Sequence, residues 1–396
     1  MMEIKCNLER HLQELAGRIG IRYVGSPANH AAAEYIRREM ERAGLAVELQ
    51  KSDCPEWSAR RAVCESEGVL LPMLVDPFSP PLDTIAPVVP VGTVAELEGA
   101  DLKGRIPLLY GDLMQAPVSP KAWFLKTEHD ERIVALLEDK APAAVLSAQP
   151  SVPYFAHGFC DADFSLPSAT LPREAALGLA RRSRPDVHLM LETERRPGWT
   201  ANVVGRKAGA RPETIVLCAH YDTALVTPGA HDNATGAAIV LALAAHFAAR
   251  KMDCGLEFLA ISGHEYLPLG IDAYWKTASA GRLIAAMNFD GVGQHLSANT
   301  LTAMAASEEL IRTAQSKMAA HPGTVWVDPW PESDHSAFAM CGVPALAFGG
   351  AGAREIAHSP ADTVDGVSID KLIEAASLAA EIVMELQKKT VEWGRG

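Results

Sequence analysis

The sequence predicts an α/β fold: a mostly parallel central sheet with helices on both faces, carrying a second, inserted β-rich domain. Three observations predict it. After residue 200, apolar runs of strand length alternate with stretches of helical periodicity, the pattern of a parallel sheet covered on both sides. Residues 55–199 hold 17 of the 26 prolines, and there short apolar runs are separated by Pro, Gly and Asp. Residues before 55 return to helical spacing. The flanks 1–54 and 200–396 are therefore expected to form one discontinuous domain, interrupted by residues 55–199.

Taken in order, residues 7–18 and 29–43 place apolar residues on one helical face, and Ala46–Leu49 reads as a strand. Within the Pro-rich segment, Gly68–Val75, Ile106–Tyr110 and Ala143–Ser147 are short apolar runs bounded by turn residues. Helices are expected at Glu131–Glu138 and Arg173–Arg181. Then come a strand at Thr214–Ala219, a helix at Ala234–Ala249, and strands at Leu256–Ser262 and Leu283–Phe289. A helix at Glu308–Ala320, a strand at Pro344–Phe348 and a closing helix at Ser368–Gln387 complete the series.

Composition narrows the function. With 396 residues, 48% hydrophobic and 21% charged, the chain is an ordinary globular protein. Its 36 basic and 49 acidic residues give a net charge of −13, which argues against nonspecific nucleic-acid or anionic-membrane binding. The longest apolar stretch, Gly236–Ala249, contains His246 and is too short to span a bilayer. The opening MMEIKCNLERHLQEL carries charges where a signal peptide needs its apolar region. Seven dispersed cysteines with no CxxC pair fit a reducing, cytoplasmic setting.

Ligands of open α/β sheets bind beyond the carboxyl ends of the strands. His220 and Asp222 follow the strand IVLCA, His264 and Glu265 follow LEFLAIS, and Asp290 follows LIAAMNF. Asp232 precedes a helix in HDNATG, and His358 lies in the loop after PALAFGG. Two imidazoles, His220 and His358, and three carboxylates, Asp232, Glu265 and Asp290, suit a pair of divalent ions, with zinc the natural choice. Two such ions acidify a shared water and polarise a scissile carbonyl, which is hydrolase chemistry.

The segments CAHYDT, HDNATG, GHEYLPLG, NFDGVG, SDHSAF and HSPADT, in this order, resemble the co-catalytic zinc aminopeptidases, the bacterial leucyl aminopeptidase and aminopeptidase Y kind. RYVGSPANHAAAEYIRREMERAGLAVELQ is similar to that family's opening helix and strand. The resemblance implies that His220 and Asp290 hold one zinc ion, Glu265 and His358 a second, and Asp232 bridges them. It implies that Asp222 orients the His220 imidazole and that the Asp232–Asn233 peptide is cis. The substrate implied is a peptide or amino-acid amide with a free N-terminus, cleaved by a metal-bound hydroxide. The tryptophans and the family habit point to a homo-oligomer. The inserted segment resembles a protease-associated domain through GADLKGRIPLLYGD, APAAVLSAQP and LPSATLPREAALGLA, which implies a lid or substrate-choosing role.

One departure matters. The family places two adjacent Glu residues after the third strand, the first a general base and the second a ligand. Here the pair is His264–Glu265. Three readings compete: His264 is the base, His264 is an added ligand, or hydrolysis is weakened or lost. Two alternatives to peptidase activity stay open, a glutaminyl-cyclase-like acyl transfer using one zinc ion and a metal-stabilised binding module.

Other residues have plainer readings. Asp232 alone reads as a helix cap and Asp290 as a turn residue before Gly291. His335 in SDHSAF is either a neighbour of the metals or a helix-start residue. Trp326 and Trp330 either pack their loop or form an apolar wall for a substrate side chain, His231 is expected to be a spectator, and Glu355 and Asp362 to be surface or capping residues. His157, Cys160 and Asp161 match no standard metal spacing. GGAGA at 349–353 lacks the Lys-Ser/Thr of a phosphate loop.

Overall fold

The computed structural model describes residues 2–150, 156–183, 185–266, 268–352 and 356–396. The chain forms two compact units, Met1–Ser52 with Trp199–Gly396, and Asp53–Gly198. The sequence-based boundaries lie within two residues of these.

The first unit opens with helix α1 (Met2–Leu12), extended by a π-helical turn over Gln13–Ile19, and helix α2 (Pro27–Arg42). Ser26 starts α2: its Oγ accepts the Asn29 N–H at 3.0 Å, and Pro27 has no N–H to leave unpaired. The chain leaves along strand β1 (Ala46–Ser66). The second unit contains β2 (Val69–Leu70), β3 (Leu74–Val75), β4 (Leu82–Val91), helix α3 (Val94–Gly99), β5 (Ile106–Leu109), helix α4 (Glu128–Lys140), β6 (Val145–Ala148), β7 (Ser168–Leu171) and helix α5 (Arg173–Ala180). Strand β8 (Asp186–Lys207) returns to the first unit.

That unit continues with β9 (Thr214–His220), helix α6 (Thr235–Ala248), β10 (Gly255–Ile261), helix α7 (Leu269–Trp275), β11 (Leu283–Phe289) and β12 (Ala298–Met304). Helix α8 (Glu308–Met318), β13 (Thr324–Trp326), helix α9 (His335–Met340), β14 (Ala345–Ala351), helix α10 (Ile369–Leu386) and helix α11 (Val391–Gly394) follow.

Its strands run in the order β13-β12-β14-β11-β9-β10-β8. The pairs β10–β9, β9–β11, β11–β14 and β12–β13 are parallel, whereas β12–β14 and β10–β8 are antiparallel. The parallel centre is almost continuously apolar and buried on both faces, as such sheets must be. Alternate residues feed two cores. Ile215, Leu217 and Met287 pack with α1, α2, α6 and α10, while Val216, Cys218 and Ala286 pack with Tyr274 of α7 and Phe338 of α9. Register then levels the carboxyl ends: His220 pairs with Ile261, Cys218 with Asn288, and Phe289 with Phe348. The loops that follow these strands emerge side by side.

The second unit differs from a plain β-rich reading. Its sheet carries helices on both faces. Leu108 and Leu146 pack with α5 in one core, and Leu109 and Val145 pack with α3 and α4 in another. The strand expected at 46–49 is only the beginning of β1, and β8 and β12 were not foreseen. Residues 58–62 of β1 are exposed and carry no apolar alternation, whereas β8 opens on a short alternation of buried Val187, Leu189 and Leu191.

Candidate metal centre

His220 ends β9 and is 1% exposed. Its Nε2 lies 3.2 Å from Asp232 Oδ1 and 3.4 Å from Asp290 Oδ1. His358 Nε2 lies 3.1 Å from Asp232 Oδ2 and 3.1 Å from Glu265 Oε2. Asp232 thus stands between two His–carboxylate sets, with one oxygen toward each. Ligands about 2.0–2.1 Å from a tetrahedral zinc ion are separated by about 3.3–3.4 Å, so these spacings fit the metal. Glu265 Oε1 is buried without a hydrogen-bond partner.

Local structure explains why Asp232 is available. It does not cap α6. Asn233 does, accepting the Gly236 N–H at 3.0 Å and donating to the Phe289 carbonyl at 2.8 Å. The Asp232–Asn233 peptide is cis, and both residues have non-helical backbone angles. Gly229, at φ +61°, starts this loop; a Cβ there would lie 2.3 Å from Thr223 Cγ2 and 2.5 Å from the Asp232 carbonyl oxygen. His358 also occupies the left-handed region, at φ +57°, uncommon for a residue with a side chain.

The carboxylates favour positive charge at both imidazoles. Burial alone would drive His220 neutral, but Asp290 and Asp232 hold its pKa well above the usual range. For His358, burial is likewise overridden by Glu265 and Asp232. Burial pushes against ionisation of Asp232, yet His220 and His358 hold its pKa well below the usual carboxylate range. Divalent ions would take the place of the imidazole protons here.

Asp222 acts differently from the expectation. The His220 ring Nδ1 faces the Asp222 backbone carbonyl at 3.2 Å, while the carboxylate lies 3.7 Å away. That carboxylate accepts the main-chain N–H groups of His264 at 3.3 Å and Glu265 at 3.2 Å. It therefore positions the loop carrying the next ligand, and the backbone orients the imidazole. Asp362 is fully buried, contrary to a surface reading. Its oxygens accept the N–H groups of His231 at 2.7 Å and Asp232 at 3.0 Å.

His264 stacks on His220 with ring centroids 4.0 Å apart and planes 17° from parallel. Its Nδ1 is 3.3 Å from Asp334 Oδ2 and its Nε2 is 4.0 Å from Asp290 Oδ2. Burial and the neighbouring His220 push its pKa down, but Asp334 and Asp290 raise it to about 9 in the ion-free cluster. The in-plane lone pairs of the two stacked rings lie in nearly parallel planes, so one ion cannot sit on axis with both imidazoles. His264, His220 and Asp290 nonetheless present ligand-type atoms within 4.8 Å of one another.

The remaining residues fall out plainly. His335 Nε2 bonds the Trp330 carbonyl at 2.6 Å, and the two rings meet edge to face, so both residues brace their loop. His231 is buried with its ring against Gly291. Asp161 holds the Lys121 and Asp163 N–H groups in the second unit. Glu355 lies outside the described residues. Asp334 and Arg22 were not singled out from sequence. Asp334 adjoins the weighed His335 inside SDHSAF, and only tertiary structure turns it toward His264.

A largely parallel α/β sheet with a carboxylate between two His–carboxylate pairs at its carboxyl edge is the arrangement of a metallohydrolase type of centre. Residues 202–383 match the model of peptidase family M28. Aminopeptidase YwaD of Bacillus subtilis (strain 168) is 25% identical over 407 residues, covering 96% of this chain and 84% of that protein. BSAP, a zinc aminopeptidase from Bacillus subtilis, shares the fold at TM-score 0.80 and 20% identity, over 96% of this chain and 95% of its own. Porphyromonas gingivalis glutaminyl cyclase superposes at TM-score 0.50 and 12% identity, over 97% of each chain.

Proposed function

We propose that the protein is a zinc-dependent aminopeptidase that releases N-terminal residues from peptides or amino-acid amides. The observation that carries this reading is Asp232, with one oxygen toward His220 and the other toward His358. His220, Asp232 and Asp290 would hold one ion, and Asp232, Glu265 and His358 a second. The charge inventory supports two: Asp362, Asp222, Asp232 and Glu265 act on the buried cation Arg22, and Asp290 and Asp334 add two more carboxylates beside His220 and His264. Bound zinc supplies an acidified water and polarisation of the scissile carbonyl.

The chain's own residues supply the rest. His264 occupies the place of the family's carboxylate base. Asp334 faces Nδ1, which leaves Nε2, on the Asp290 side, to accept the proton and pass it to the leaving amine. The stacked geometry favours this role over direct ligation. Asp222 and Asp362 fix the ligand loops through main-chain N–H groups.

A His–carboxylate pair on each side of Asp232 favours this reading over a one-zinc cyclase. The protease-associated character of residues 55–199 and the cytoplasmic setting belong to the same proposal. Supporting the first is a separately compact α/β unit, Asp53–Gly198, that interrupts the other unit in sequence; supporting the second is the dispersed cysteine usage. The test is metal content together with product analysis. Two zinc ions per chain and stepwise N-terminal release support the proposal. One ion with cyclisation of N-terminal glutamine, or two ions with no turnover, refutes it.

A further inference from the structure

We propose that Arg22 is a positioning residue of this metal centre, and that the N-terminal RYVGSPAN segment braces three ligand-bearing loops at once. The inference rests on the metal reading above. Arg22 is fully buried. Its guanidinium donates to main-chain carbonyls: Nε to Tyr221 at 2.5 Å, Nη1 to Pro228 at 2.7 Å and Gly20 at 3.1 Å, and Nη2 to Gly229 at 2.7 Å. Tyr221 directly follows His220, and Gly229 opens the loop that presents Asp232. One rigid, planar group therefore sets the separation between the strand end carrying the first imidazole and the loop carrying the bridging carboxylate.

The main chain of Arg22 extends the brace. Its N–H donates to Thr223 Oγ1 at 3.0 Å, and its carbonyl accepts from Asn29 Nδ2 at 3.2 Å. The same Asn29 amide reaches Ser262 Oγ at 2.9 Å, just beyond β10 and three residues before Glu265. Thr200 Oγ1 closes the web, 2.8 Å from Asn29 Oδ1 and 2.6 Å from Ser262 Oγ. Of the residues touched, Tyr221, Thr223, Pro228, Gly229 and Ser262 each lie within four positions of a proposed ligand.

Arginine suits this place for a physical reason. Its five donors form a fixed fork that satisfies several carbonyls in different directions, whereas the lysine ammonium is a point with three donors. A buried charge is costly unless compensated. Here Asp362, Asp222, Asp232 and Glu265 surround it electrostatically. A residue needed only to fill the fold would be replaceable by an apolar side chain of similar volume; one that sets ligand spacing would not.

The test compares wild type, Arg22→Lys and Asn29→Ala by zinc titration against a chromophoric chelator and by thermal unfolding of zinc-loaded and chelated protein. Positioning residues around metal ligands typically change affinity by about 10–100-fold. Arg22→Lys is expected to weaken zinc binding at least about tenfold and to shrink the melting-temperature gap between loaded and chelated forms. Asn29→Ala, which keeps the guanidinium, is expected to move both readouts in the same direction by less. Equal loss of melting temperature in both forms, with unchanged zinc affinity, would show a purely structural role and overturn the proposal. Where Arg22→Lys does not fold, Asn29→Ala decides on the same two readouts. Absence of stoichiometric zinc binding in wild type would instead overturn the metal reading on which the inference stands.

Discussion

Replacing Asp222 with Asn tests whether the site is held from behind by main-chain bonds. The carboxylate is fully buried and accepts two N–H groups, those of His264 and Glu265. Asparagine keeps one acceptor oxygen and turns an NH₂ group toward the other donor. A net hydrogen bond to a charged group contributes about 1.5–3 kcal/mol, and an unsatisfied buried donor costs about 1–3 kcal/mol. The combined loss is therefore about 2.5–6 kcal/mol of unfolding free energy, or less where the loop relaxes. Because these bonds place Glu265, zinc affinity should also fall by about 10–100-fold. Urea unfolding of the chelated protein reads the first quantity, and chelator competition reads the second. Stability within about 0.5 kcal/mol of wild type, the range of an ordinary surface substitution, together with unchanged zinc affinity, would refute the reasoning.

Further expectations concern separate parts of the molecule. His264→Glu restores a carboxylate at the proton-accepting position and should raise kcat if the reaction is limited by that transfer; loss of turnover with full metal content would show that His264 serves the site in a way Glu cannot. Gly229→Ala places a Cβ into Thr223 and the Asp232 carbonyl at a left-handed backbone position, and should destabilise the protein by about 2 kcal/mol or more; unchanged unfolding would contradict the loop geometry. His11 is buried against Tyr35, with Nδ1 2.7 Å from the phenol oxygen, and burial chiefly lowers its pKa to about 3. A depressed folded-state pKa means that its contribution is complete above the unfolded value of 6.5. It is lost as pH falls from there toward about 3, at up to about 1.4 kcal/mol per pH unit. His11→Gln should flatten stability between pH 6 and 4, and an unaltered slope would exclude His11 as its source.

Much of the centre is legible in sequence because ligands of a parallel sheet gather at strand ends. His220, Glu265 and Asp290 each follow an apolar run that reads directly as a buried strand, and the register of β9, β10 and β11 brings them level. Asp232 reads from sequence as a cap or a ligand; in the structure Asn233 takes the cap, and the Asp232 carboxylate lies between His220 and His358. Residues that act across long sequence distances stayed hidden. Arg22 meets Tyr221 and Gly229 about two hundred positions away, and Asp362 meets Asp232 from a loop whose local sequence resembles a surface turn. Asp222 was identified for its contact with an imidazole, but its carboxylate reaches backbone donors that no side-chain pattern encodes. The exposed stretch of β1 stays hidden for a related reason: ladder hydrogen bonds to remote partners order it without an apolar stripe.

The most direct test of the central claim measures amino-acid release from a panel of short peptides by zinc-loaded protein, with zinc content determined on the same sample and a chelated control. The account requires N-terminal release that disappears on chelation and returns with two zinc ions per chain. Two bound zinc ions with no N-terminal release would contradict it.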